Sequence, residues 1–78
     1  MNTTTLYDLR GLNCPMPVLK TRKRLSEMAA GETLIVETSD PLAVIDIPHF
    51  CKEHGHRMLA CEAQNSGHRF TIVNGSKP

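Results

Sequence analysis

Two prolines separated by a single residue, Pro15 and Pro17, restrict this chain more than any other feature. Proline has no backbone N–H and holds φ at about −65°, so neither residue suits a helix interior or a central strand. Both suit the first turn of a helix, where backbone N–H groups have no intrahelical partner anyway. The residues that follow continue as a helix. Val18, Thr21, Leu25, Met28 and Ala29 share one face at helical spacing, with Lys20, Lys23, Arg24 and Glu27 opposite. Gly31 reads as the C′ residue that stops it.

The other segments arrange themselves around this helix. "TLYDLR" (5–10) predicts a short strand ended by Gly11, and "ETLIVETS" (32–39) predicts a strand buried on much of both faces. Asp40 and Pro41 carry cap chemistry for a second helical region. Pro48 interrupts that region, because a proline there cannot donate to the Val44 carbonyl. The pattern therefore predicts a turn over 41–46 and a short helix over 47–54, closed by Gly55. "RMLACEAQ" (57–64) alternates Leu59, Cys61 and Ala63 against polar neighbours, and "HRFTIV" (68–73) alternates Phe70 and Ile72. "QNSG" between them predicts a hairpin turn. The order is β-α-β-α-β-β. Two amphipathic helices need one sheet face, so the expected fold is an α/β two-layer sandwich, with both helices on one face of a mixed four-stranded sheet. It forms a single domain over 1–78, with frayed ends at 1–4 and 75–78.

Size and composition limit the function. A chain of 78 residues buries only about 60–65% of the surface it exposes unfolded, so chemistry should sit near the surface. The aromatic residues are Tyr7, Phe50 and Phe70, too few for a base-stacking platform, and no stable nucleic-acid binding is expected. The net charge of +1 is unevenly spread: residues 1–26 carry five basic and one acidic side chain, and residues 27–53 one basic and six acidic. That asymmetry permits a basic docking face on Lys20, Lys23 and Arg24, with Arg22 at the apolar margin; a merely solvated helix face explains the same residues. No secretory pattern and no apolar run of membrane length appear, and the three cysteines are an odd number, so reduced thiols in a cytoplasm are the expectation.

Cys14 immediately precedes the two prolines. With Pro15 at N1 and Pro17 at N3 it falls on the N-cap, where the helix dipole favours a thiolate and a lowered pKa. Cysteine is a poor cap and a good nucleophile. The competing account is an incidental small residue before a proline-started helix. Cys51 and Cys61 read as buried, structural residues on apolar faces. His49, Cys51, His54, His56 and Cys61 lack the paired spacing of a zinc site, so no metal is expected.

The segment "DLRGLNCPMPVLKTRKRL" closely resembles the TusA-like (SirA-like) sulfur-carrier family, in which a short strand and a glycine turn precede Cys-Pro-x-Pro at the start of the first helix. Asp8, Gly11, Cys14, Pro15 and Pro17 stand in those places, with Met16 in the variable slot. The likeness continues through "GETLIVETSDPLAVIDIPHFCKEHGH" and covers residues 6 to 73. It implies a persulfide carried on Cys14, taken from a cysteine desulfurase or rhodanese-like donor and passed to an acceptor such as a DsrE-like relay subunit, without a cofactor. It implies tRNA thiolation or sulfur oxidation as the setting. A thiol-redox or regulatory module and a small RNA-binding domain are the alternatives.

Overall fold

The computed structural model describes residues 4–75. Its elements follow the expected order: β1 (Thr4–Asp8), α1 (Met16–Ser26), β2 (Thr33–Thr38), α2 (Ala43–Glu53), β3 (Arg57–Gln64) and β4 (Gly67–Val73). The sheet runs β1-β2-β4-β3, with β1 parallel to β2 and the other two pairings antiparallel. Leu34 and Val36 of β2 pair with Ile72 and Phe70 of β4. All four are fully buried and meet Leu25 of α1 and Ala43, Ile47, Phe50 and Cys51 of α2 in one core. The opposite face of β2 carries Thr33, Ile35 and Glu37, which are only half-buried. The sheet thus has one covered face, and β2 is not buried on both sides.

α1 differs from expectation at both ends. It starts one residue later, with Pro15 at the N-cap position and Pro17 in the second helical position. Pro17 is buried in line with Thr21 and Leu25, so it packs as well as starting the helix. Ala29 lies beyond the helix and is exposed. The helix ends at Ser26, five residues before Gly31. The cause lies at the far end of the chain. Asn74 is buried, and its amide donates to the carbonyls of Leu25 (3.0 Å), Met28 (2.8 Å) and Ala29 (3.2 Å). Those carbonyls belong to the last turn of α1 and the segment just after it, so Asn74 holds the chain in its course away from the helix. Gly31, at φ +88°, belongs instead to the turn into β2, where its N–H meets the Asn74 carbonyl.

α2 is one helix, with Pro48 inside it. A proline in a helix interior costs about 3 kcal/mol relative to alanine. Ala43, Ile47, Phe50 and Cys51 are all buried at helical spacing, and a large apolar side chain contributes roughly 1.5–3 kcal/mol when fully buried. Burial wins: the expected turn over 41–46 is confined to 41–42, and the helix already runs from Ala43. β3 departs in another way. Met58 pairs with Ile72 but Ala60 pairs with Thr71, so Leu59 is a bulge residue. Cys61 then faces Phe70 in the ladder, yet β3 is an edge strand, and Leu59, Cys61 and Ala63 are exposed. The hairpin turn is Asn65–Ser66. Gly67 is required there, since a Cβ on it would stand 1.8 Å from the Thr38 carbonyl oxygen. Of the expected frayed ends, Thr4 opens β1 and the Gly75 N–H donates to His56 Nδ1 at 2.9 Å. The rest lie outside the described residues.

Asn74→Asp keeps the shape of the side chain but removes its N–H donors. It and Asn74→Ala are expected to lower unfolding free energy by about 1–3 kcal/mol, as measured by urea titration; an unchanged Asn74→Asp midpoint is the contrary outcome. Pro17→Ala loses both backbone restriction and buried contact, and is expected to cost about 1–2 kcal/mol in the same assay.

Candidate functional site

In parallel βα units the loops leaving the strand C-termini gather at one edge of the sheet, and here those loops lead into α1 and α2. Asp40 joins them. It is only 8% exposed; its Oδ2 accepts the Cys14 N–H and its Oδ1 accepts the Leu42 N–H at 3.1 Å. Its own carbonyl accepts the Ala43 N–H at 3.0 Å. One acidic residue therefore holds the cysteine loop against the start of α2. A second tie runs from the Gly11 N–H to Ser39 Oγ at 2.8 Å. Gly11 has φ +91°, a conformation that favours glycine and turns the chain out of β1.

Cys14 is exposed and precedes the N-cap position by one residue; its peptide bond to Pro15 is cis. The expected N-cap geometry does not form, because the Met16 N–H donates to the Asn13 carbonyl at 2.8 Å instead of to sulfur. The thiol points across to α2 and donates to Asp46 Oδ2 at 3.1 Å. This reverses the expected electrostatics. The hydrogen bond to Asp46, desolvation, and the charges of Asp46 and Asp40 push the Cys14 pKa up, not down. An anion adjoining a thiol disfavours the thiolate, and two carboxylates near the sulfur outweigh the partial charge of a helix end.

The remaining candidate residues lie further away. Asp8 ends β1 and pairs with Arg10 through Nε (2.9 Å) and Nη2 (3.0 Å). That pairing and the Arg10 N–H lower the Asp8 pKa to about 2. Its contribution to stability is present above the ordinary carboxylate pKa and lost as pH falls toward 2. Lys20 and Lys23 are exposed on α1, whereas Arg24 is half-buried and pairs with Glu27 at 3.5 Å. Cys51 is buried, and burial pushes its pKa up to about 11. Cys61, expected in the core, is exposed. Three histidines have partners of their own: His49 pairs with Glu53 at 3.5 Å, and His54 and His56 lie against the Phe50 ring. Among the described residues no three His, Cys, Asp or Glu side chains converge on a common point.

Sequence reasoning missed two features of the site. Asp46 was one of several acidic residues in an acidic stretch, and only the continuation of α2 through Pro48 sets it opposite Cys14. The second is an apolar rim. Met16 (38% exposed) and Leu19 (46%) stand at the start of α1, and Leu42 (50%) and Ile45 (64%) at the start of α2, the two helix starts that the Cys14–Asp46 hydrogen bond joins. Large apolar side chains exposed at two adjoining helix starts mark a contact surface. Between the helices a groove of about 320 Å³ runs from Pro15 and Asp46 past Leu19 toward Phe50.

The sequence profile of the family described as sulfurtransferase TusA matches residues 5–74. The fold is also similar to the crystal structure of a SirA-like protein from Desulfitobacterium hafniense, with a TM-score of 0.79 at 26% sequence identity, over 92% of this chain and 99% of that one. With the match spanning both helices and all four strands, the chain belongs to the TusA sulfurtransferase family.

Proposed function

We propose that the protein is a sulfur carrier that takes persulfide sulfur on Cys14 from a cysteine desulfurase or rhodanese-like donor and relays it to a cysteine on an acceptor protein. The observation that carries this reading is the setting of one sulfur: Cys14 is exposed on a loop tied by Asp40, where two helix starts meet, and both starts expose large apolar side chains. Cys14 thiolate attacks the outer sulfur of the donor persulfide. A new S–S bond forms on Cys14, the donor S–S bond breaks, and the donor cysteine leaves as a thiol after taking up a proton. In the second transfer an acceptor thiolate attacks the outer sulfur on Cys14. Sulfur moves without net oxidation, so no cofactor is needed. A DsrE-like subunit is the proposed acceptor, and tRNA thiolation or sulfur oxidation the proposed setting, inside a cytoplasm.

Two physical points disfavour the alternatives. A redox sensor needs a thiolate available in the free protein, and the carboxylates beside Cys14 oppose that. An RNA platform needs exposed rings, whereas Phe50 and Phe70 are buried and Tyr7 packs against the core.

Cys14→Ser is expected to abolish the one-sulfur mass gain after incubation with desulfurase and cysteine, while Cys51→Ser and Cys61→Ser still load. Sulfur retained by Cys14→Ser, read by intact-mass spectrometry, refutes the assignment. The basic face of α1 is proposed to steer docking. Lys20→Glu with Lys23→Glu and Arg24→Gln is expected to slow loading by about tenfold and to flatten its salt dependence. Equal rates would leave these side chains as a solvated surface.

A further inference from the structure

Resting on the sulfur-carrier reading, we propose that Asp46 gates the Cys14 nucleophile: its carboxylate keeps the sulfur protonated in the free protein, and a Lys or Arg of the docking protein frees the thiolate by pairing with that carboxylate. The contact is direct, Sγ to Oδ2 at 3.1 Å. An ordinary carboxylate is far more acidic than a thiol, so the shared proton stays on sulfur. Loss of that proton would leave two anions facing each other at hydrogen-bond distance. Asp40 adds a second negative charge from the loop before α2.

The groups facing this pair do not relieve it. Arg22 of α1, His49 and Glu53 of α2 and His54 just after it line the same groove as Asp46. Among the described residues, however, no cation lies within ion-pair distance of Asp46 or Asp40; the ion pairs present involve Asp8, Glu27, Glu37 and Glu53. The acid is thus left for a partner to pair with. Leu19 lines the groove with Asp46, and Leu42 and Ile45 are exposed at the start of the same helix as Asp46; a docked protein covering this apolar surface excludes water from around the charges and strengthens the pairing. Once the carboxylate is neutralised, the Cys14 proton leaves and the thiolate attacks the outer persulfide sulfur. The leaving donor thiolate takes up one proton in exchange, so charge and atoms balance.

The gate makes a small neutral electrophile and a protein donor respond in opposite directions. In a Cys61→Ser background Cys14 is the one exposed thiol, and its alkylation by iodoacetamide can be followed against pH. Asp46→Asn is expected to lower the midpoint by about one pH unit. Thiolate nucleophilicity falls as its pKa falls, so the gain in rate near neutral pH is about threefold. Asp46→Glu, which keeps the charge, should retain a midpoint near that of the parent. Loading from a cysteine desulfurase with cysteine should instead slow by about tenfold in Asp46→Asn, because the partner's cation has lost its counter-charge. A midpoint that stays or rises in Asp46→Asn overturns the gate, and loading at the parent rate or faster overturns the cationic partner. The alkylation arm involves no sulfur donor. A parent protein that gains no sulfur therefore refutes the carrier reading separately, and with it the partner's part in the gate.

Discussion

The hydrogen bonds accepted by Asp40 are what the site depends on. Both oxygens of this buried carboxylate are used, one on the Cys14 N–H and one on the Leu42 N–H. Removing it would free a part-buried backbone donor on each side, the Cys14 N–H and the Leu42 N–H, and untie the loop from α2. Asp40 also fixes where α2 begins, and α2 in turn places Asp46 within hydrogen-bond reach of sulfur. The loop and the acid that modulates it are therefore set by one residue at the C-terminal end of β2.

The fold was legible in the sequence because its strongest signals are local. Proline at a helix start, helical spacing from Val18 to Leu25, β-branched residues in β2 and turn residues before Gly67 each act over a few positions. Misreadings arose where a distant contact overrode the local preference. Asn74 ends α1 across 49 positions of sequence, so Gly31 gave a plausible but late stop. Burial of Ile47 and Phe50 carries α2 through Pro48. A bulge at Leu59 and an edge position bring Cys61 to the surface, and neither is visible in alternation alone.

At the site, the position of Cys14 was readable and its electrostatics were not. Local reasoning counted the helix dipole, because the helix start lies within a few residues of the sulfur. The decisive groups come from 26 and 32 positions away. They win by distance in space. A carboxylate oxygen at hydrogen-bond range acts on sulfur more strongly than partial charges at a helix end one residue further along, and Lys20 and Lys23 are exposed to solvent that screens them.

This division of charge bears on what a sulfur carrier requires. On the proposed function, a carrier meets its donor and acceptor in turn and must not react between those meetings. A thiol exposed for docking cannot be protected by burial, which is what protects Cys51. The remaining means is electrostatic. A fixed carboxylate lowers the thiolate fraction in the free protein without covering the sulfur, and a partner can reverse that effect on contact. Access and reactivity are thereby separated. The loop tied by Asp40 sets where the sulfur stands, and Asp46 sets when it can attack.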